Sequence, residues 1–555
     1  MAPQNFLESI LQRLQSGGDQ VLLQELRDGQ FVSATADELS RQVRKARAFL
    51  RAQELKKGDR CALLAPNSIR WAVIDIAMMA EGLIVVPLYS RQVAAELVTM
   101  MKDCGPSLVC CGDQTLSDTI RQHWPEAPRT CTFDEVFSSR EIPTAEGRPS
   151  SLADTDPLTI VYTSGTSGEA KGVMLGVSNL NYMLGCTSQR LDMLMQGSKG
   201  QDRVFQYPPF SFAASWIMLL TCLRRGSLLM ICTDLSNLAA DMRSAAAHYF
   251  LNVPILLERM RAAIDEQLYK TGGIIDAIYR RAKEAWYRRA RGESQGLDSA
   301  WLALAQSVVF PTIRRKMIGS DLRALICGSA PLARETQLFF MMIGVPVLQV
   351  YGLTETTAIC TMDDPRRVEP GRVGPAIPGI EMKLGNNEEI LVRGPNIFQG
   401  YWNRPQATSD ALRDGWFHTG DQGDLDATGI WRISGRIKNL IVLSSGHNVA
   451  PEPIEESMLR LLPDAKQVVL VGHGRGFLAT VVTGTPTSEQ VEFAIEEVNR
   501  DLPHYKRVRA FYIHPEPFSV EDGTLTVNGK LKRDVITARL RPQIEELFAN
   551  QRVSA

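Results

Sequence analysis

Tyr162-Thr163-Ser164-Gly165-Thr166-Ser167-Gly168-Glu169-Ala170-Lys171-Gly172 lies between two apolar runs, 158–162 before it and 173–175 after it. An apolar run that stops in a small, hydroxyl-rich loop and then resumes predicts two strands joined by an anion-binding turn. The glycines let the backbone approach a ligand closely, and successive N–H groups can form a nest for phosphate oxygens. The hydroxyls of Thr163, Ser164, Thr166 and Ser167 add donors, and Lys171 adds positive charge. This is not a Walker loop, which needs Gly-Lys adjacent at the start of a helix; here Gly168 and Lys171 are separated. A Gly/Ser/Thr run is often only a flexible turn. The order of small, hydroxyl and Lys-Gly positions points instead to a triphosphate loop.

Outward from this loop, apolar strand-like runs at 60–64, 83–88, 107–111 and 322–327 alternate with helical patterns at 36–55 and 70–80. That alternation predicts α/β layers with mostly parallel sheets over the first 360 residues. Asp424, Asp426, Thr428 and Gly429 then form a polar turn cluster, followed by Gly435, and a boundary is expected there. The expected division is a large domain over 1–435 and a small, mobile α+β domain over 436–555. In the latter, 466–471 and 477–482 read as paired strands. Val491, Ile495, Val498 and Leu502 form one helical face behind a Thr487/Gln490 capping box.

An insertion over about 269–315 carries a basic amphipathic helix at 274–291, with Ile275, Ile278, Ala282 and Trp286 near one stripe and six basic residues on the other faces. Such helices are more often a solvated face on a packed core; weak contact with a membrane surface is the sharper expectation. Net charge is -1, from 61 basic and 62 acidic residues, so nothing global steers the chain to nucleic acid. The ten cysteines form no CxxC pair, which fits reduced thiols. Residues 1–14 lack a signal-peptide core, and the longest apolar stretch, 216–231, is broken by Arg224 and Arg225. A cytoplasmic protein, at most peripheral to a membrane, is expected.

The phosphate loop resembles that of the acyl-adenylate-forming enzymes: acyl-CoA synthetases, peptide-synthetase adenylation domains and firefly-type luciferases. The resemblance continues through several motifs in order. Gly328-Ser329-Ala330-Pro331 resembles the adenine-side loop, and Gln349-Val350-Tyr351-Gly352-Leu353-Thr354-Glu355 the segment in which tyrosine packs on adenine, threonine meets phosphate and glutamate binds Mg²⁺. Asp421, in Trp416-Phe417-His418-Thr419-Gly420-Asp421, and Arg436 occupy the positions that hold the ribose hydroxyls, with Ile433 beside them. Lys438 sits at the hinge position. Lys530, in Asn528-Gly529-Lys530-Leu531-Lys532-Arg533, matches the catalytic lysine, with Lys532 close by.

What the resemblance implies is ATP-dependent activation of a carboxylic acid to an acyl-adenylate, then thioester formation with coenzyme A. Thr163 and Glu355 are the expected metal-site residues, and Thr354, Glu355 and Lys530 the expected catalytic ones. The insertion ending Phe310-Pro311-Thr312-Ile313-Arg314-Arg315-Lys316, the run Gly446-His447-Asn448-Val449-Ala450-Pro451-Glu452, and the Leu-Lys-Arg after Lys530 are most similar to the long-chain fatty acyl-CoA synthetases. Ser211, Phe212 and Trp216 are candidates for an acyl pocket, and Gly446 and His447 for a coenzyme A channel. Two departures stand out. Ser211 takes the place of a histidine common in the family, and Ser329 that of a common glycine. An acyl-AMP ligase loading an acyl carrier protein is a second reading. A non-catalytic nucleotide- or acyl-binding relative is a third, opposed by the joint presence of Glu355, Asp421, Arg436 and Lys530. Oligomerisation is left open.

Overall fold

The computed structural model describes residues 5–27, 30–138, 149–164, 170–317, 319, 321–526 and 529–549. The unbroken apolar runs are strands: Arg60–Leu64, Ile84–Leu88, Leu108–Cys111 and Ala324–Cys327. The last three are buried at every residue, as parallel strands are when helices cover both faces. They belong to two sheets. A seven-stranded sheet runs in the order 400–401, 170–176, 157–164, 84–88, 60–64, 108–111, 130–132. An eight-stranded sheet runs 361–362, 347–351, 324–327, 249–252, 203–206, 228–232, 21–27, 30–35. The interiors are parallel. Antiparallel pairs close one edge of the first sheet and both edges of the second.

The helices Ile69–Ala80, Val177–Leu194 and Ala213–Arg225 share one core with residues of both sheets. Eleven of the twelve residues of Ile69–Ala80 are buried, so this helix is apolar all round and has no solvent face. Its one ionisable buried side chain is Asp75, whose Oδ2 accepts the Trp216 indole N–H at 2.8 Å. Burial pushes the Asp75 carboxyl up to about 7.

Between Tyr249–Asn252 and Ala324–Cys327, a pair of parallel neighbours, the chain makes four helices: Pro254–Thr271, Gly273–Ala290, Asp298–Val308 and Phe310–Met317. The sequence pattern predicts only the second, at 274–291. Among the described residues no helix is long and apolar enough to cross a membrane. All ten cysteines are free thiols, nine of them buried.

A third, antiparallel sheet contains Glu381–Leu384, Glu389–Arg393, Leu412–Arg413, Trp416–Leu425 and Trp431–Arg436. A 3₁₀ turn, Ile437–Asn439, leads from it into a small α+β lobe built on the strands Ala465–Val471, Leu478–Gly484 and Val508–His514. There Thr487 and Gln490 form the expected reciprocal cap, with N–H···O distances of 2.7 and 3.3 Å.

Candidate active site

Thr163 and Ser164 pair with Lys171 and Ala170 across the Pro157–Ser164 and Ala170–Gly176 strands, so the phosphate motif is a hairpin. Gly165, Thr166, Ser167 and Gly168 lie outside the described residues. The Lys171 ammonium stands 5.0 Å from the centre of the Tyr401 ring, a cation–π distance. The Tyr401 hydroxyl donates to Glu355 Oε1 at 2.8 Å. The sequence reading does not single out Tyr401; it lies in a two-residue edge strand, too short to show a periodicity. A Cβ on Gly172 would lie 2.6 Å from Ile160 Cγ2 on the partner strand and 3.3 Å from Trp402 Cβ, so this close packing of the hairpin needs glycine there.

Glu355 is held by its backbone. A Cβ on Gly352 would sit 2.2 Å from the Ala358 carbonyl oxygen, so the chain doubles back at that glycine. The Thr354–Thr356 3₁₀ turn follows, capped by the Thr356 hydroxyl on Leu353 N–H at 2.9 Å. Phe398 N–H then donates to the Glu355 carbonyl at 2.8 Å. Thr354 and Glu355 are left half-buried, and Glu355 lines a cavity of about 710 Å³ together with Tyr401, Arg436 and Lys438 that extends to His418.

Asp421 and Arg436 face each other by strand register. Arg436 Nε lies 2.9 Å from Asp421 Oδ1, and the Tyr351 hydroxyl donates to Oδ2 at 2.8 Å. Burial raises the Asp421 carboxyl, and the Arg436 charge and the Tyr351 bond oppose that rise. Ile433 packs in the same apolar group as Tyr351. Gly328, Ser329, Ala330 and Pro331 follow the end of the Ala324–Cys327 strand, where ligands gather in parallel sheets. Ser329 is exposed with φ 73°, a left-handed conformation that glycine enters without strain. Gln349 is spent elsewhere. Its buried amide donates to Gln337 Oε1 and to the Arg372 carbonyl, both at 2.9 Å.

From the small lobe, Lys530 reaches this group. The Arg436, Asp421, Lys438 and Glu355 charges all act on it. Loss of hydrating water in the cleft, then the Arg436 charge, pulls its ammonium down to about 8. Lys530 still meets solvent, which limits that loss and keeps the ammonium charged at neutral pH. Lys438 is also solvent-reached and is lowered by the same two causes, with Lys171 adding to them. Four cations thus converge with two carboxylates, a net positive cleft suited to a polyphosphate. The neighbouring Lys532 points away, with Nζ 3.8 Å from Glu96 Oε1. Arg533 makes a two-pronged pair with the buried Glu455, at 2.6 and 2.5 Å, and so ties the Lys530 turn to the Glu452–Leu461 helix.

The remaining candidates separate. The Phe212 ring packs 5.8 Å from that of Tyr89, and the Ser211 hydroxyl is buried with no hydrogen-bond partner among the described residues. Trp216 faces the core and Asp75, whereas Ala214, Ile217 and Met218 of the same helix line a narrow apolar slit with Leu191, Leu251, Ile326 and Val350. Gly446 and His447 form a tight turn within the small lobe, where the His447 ring stacks on Tyr505 at 4.3 Å.

The family profile described as "AMP-binding enzyme" matches residues 13–402, and "AMP-binding enzyme C-terminal domain" matches 438–552. The chain belongs to the AMP-binding enzymes. This AMP-binding enzyme is 27% identical to the long-chain-fatty-acid–CoA ligase FadD15 of Mycobacterium bovis over 96% of its own length and 94% of that protein. Its fold is that of o-succinylbenzoate CoA synthetase (MenE) from Bacillus subtilis in complex with the acyl-adenylate intermediate OSB-AMP. The TM-score is 0.74 at 20% identity, over 96% of this chain and 97% of that one. The same synthetase in complex with ATP and magnesium ion matches with a TM-score of 0.72 at 19% identity, covering 96% of this chain and 99% of that one.

Proposed function

We propose that this AMP-binding enzyme activates a fatty acid with ATP, forming an acyl-adenylate, and then transfers the acyl group to coenzyme A. The observation that carries the reading is the meeting of Lys530, from one lobe, with Asp421, Arg436 and Glu355 of the other in a cationic cleft beside the phosphate hairpin. The substrate class is supported by the relatives' names, long-chain-fatty-acid–CoA ligases, and by the apolar slit that Val350 shares with the Tyr351 strand.

In the first step a carboxylate oxygen attacks the α-phosphorus and pyrophosphate leaves. Asp421 can accept both ribose hydroxyls, and Tyr351 offers a ring face for adenine. Charge gathers between the carboxylate, the α-phosphate and the departing pyrophosphate. A lysine aimed there stabilises the transition state more than the ground state. Mg²⁺ takes hard oxygen ligands and shares phosphates with one or two carboxylates. Glu355, with one oxygen engaged by Tyr401, and the Thr163 hydroxyl fit that donor set and would hold the ion, which would neutralise phosphate charge there. In the second step the coenzyme A sulfur attacks the acyl carbon, AMP leaves with the bonding pair, and the thiol proton goes to solvent. Residues 1–435 and 436–555 act as the two bodies, and rotation at Lys438 withdraws Lys530 between steps, a gating device of a common kind. Gly446 and His447 then turn toward the thiol's path. The free thiols support a reducing, cytoplasmic setting.

Acid-dependent exchange of pyrophosphate into ATP, run over acids from short to long chain, tests the first step. AMP release on adding free coenzyme A, with no carrier protein, tests the second. No exchange with any acid sinks the reading, and release only with an acyl carrier protein replaces the acceptor.

A further inference from the structure

The Asp298–Val308 helix carries an apolar stripe on its outer side. Leu297 is 70% exposed, Leu304 40% and Val308 50%. With Trp301 they recur at helical spacing, while Leu302, Ala305 and Val309 bury the opposite side in the core. From 299 to 313 no residue is ionisable. A helix that only met water would carry charge on its outer face. Contiguous exposed apolar surface of this kind marks an interaction site.

What flanks the stripe is cationic. Residues 273–317 hold nine basic and four acidic side chains, in a chain whose net charge is -1. The four acids are already paired: Asp276 with Arg280, Glu284 and Asp298 with Arg288, and Glu293 with Arg291. Arg281, Arg289 and Arg315 are exposed and have no carboxylate partner among the described residues. The Arg281 guanidinium lies 4.7 Å over the Trp301 ring, which puts a cation directly beside the apolar stripe.

We infer that this helix docks on an anionic lipid surface, with Leu297, Leu304 and Val308 entering the headgroup–acyl boundary and Arg281 and Arg289 meeting lipid phosphates. A helix of 11 residues is too short to span a bilayer and lies in its plane. A second copy of the chain is the weaker occupant. Pairing this face with itself about a two-fold axis sets the unpaired arginines against their own copies. The inserting element is therefore not the basic helix Gly273–Ala290, which supplies charge, but its uncharged successor. The strands this excursion joins contribute Leu251 and Ile326 to the apolar slit. On the ligase reading, docking sets that slit close to the phase in which fatty acids dissolve.

Flotation of the full chain with phosphatidylcholine vesicles, with and without phosphatidylglycerol, tests the docking; ATP and acid are omitted, so failure leaves the ligase reading untouched. The native chain should float with the mixed vesicles and not with phosphatidylcholine alone, and added salt should release part of it. The double variant Leu304→Glu/Val308→Glu should lower the bound fraction by roughly tenfold, and Arg281→Glu/Arg289→Glu should abolish the dependence on phosphatidylglycerol. Thermal melting checks that the variants fold; Leu304→Gln/Val308→Thr serves if the glutamates unfold the chain. The docking is overturned if the native chain stays in solution with anionic vesicles, if a folded apolar-stripe variant floats as well as the native chain, or if that variant only converts a dimer to monomer.

Discussion

Lys530 and Lys532 lie two positions apart, and charge alone does not tell them apart. Their partners do. Lys532 faces Glu96 and Arg533 holds Glu455, while Lys530 sits among Arg436, Lys438, Asp421 and Glu355. Lys530→Ala should therefore lower acid-dependent pyrophosphate exchange by roughly 10²–10³-fold and largely spare thioester formation from supplied acyl-adenylate. Lys532→Ala should leave exchange within a few fold of native. Equal loss in both half-reactions would remove the role given to Lys530. The pH dependence follows from the partial loss of water around Lys530 and from the Arg436 charge beside it. A lysine lowered to about 8 is a cation below that pH and is neutral above it, so exchange should fall as pH rises through about 8. In Lys530→Arg that alkaline limb should disappear from the exchange profile, because a guanidinium stays charged throughout.

Elements differ in how far the sequence betrays them, and the Glu455–Arg533 pair belongs to the part it hides. Glu455 is buried and also accepts Leu470 N–H at 2.6 Å. Arg533→Ala leaves a buried carboxylate without its counter-charge, which should cost about 3–5 kcal/mol in chemical denaturation. The double change Glu455→Gln/Arg533→Met should cost clearly less, since no unpaired charge remains. Nothing in the spacing of residues 455 and 533 announces this contact. By contrast the runs at 60–64, 83–88 and 322–327 were legible as strands because burial on both faces demands largely apolar character. The motifs around Thr163 and Glu355 stood out through their resemblance to the acyl-adenylate-forming enzymes, and the structure brings Lys171 and Glu355 together on either side of Tyr401. The Ala213–Arg225 helix shows the limit. It is apolar on every side, so sequence alone does not say that Trp216 turns to Asp75 while Ile217 turns to the slit. The Asp298–Val308 helix failed for the opposite reason, because its outer stripe breaks the rule that exposed faces are polar. Asp75 adds a test of that core. Its carboxyl is held up near 7 by burial, so the stability it contributes is full below the unfolded carboxylate range and is lost as pH rises through about 7. The stability of Asp75→Asn relative to the native chain should thus be most favourable at pH 8 and should fall as the pH of thermal melting is lowered toward 5. A gap independent of pH would mean that Asp75 does not titrate in the fold.

At the scale of the whole molecule, charge pairs such as Lys532 with Glu96 and Arg460 with Glu335 join the small lobe to the large one. Arg460 Nη1 lies 2.7 Å from Glu335 Oε2 across the two lobes, and it also offsets Glu456 and Glu258, both raised chiefly by burial. Arg460 thus bears on three carboxylates at this contact between the lobes, with Arg261 also offsetting Glu258. Exposed pairs are worth about 0–1 kcal/mol, or at most roughly a fivefold change in an equilibrium, and both partners here are more than a third exposed. The contact can therefore bias the lobes without locking them, as a lobe that must turn between two half-reactions requires. Arg460→Glu adds a fourth carboxylate and should favour the turned arrangement. Pyrophosphate exchange should drop by about two- to fivefold, while thioester formation from acyl-adenylate is unchanged or faster. Glu335→Arg alone should act in the same direction, by opposing two cations. The exchanged pair Glu335→Arg/Arg460→Glu should recover most of the lost exchange, because the charges again attract across the same gap. If the single variants slow both half-reactions alike, or if the exchanged pair recovers nothing, the contact serves stability and the lobes are not poised by it.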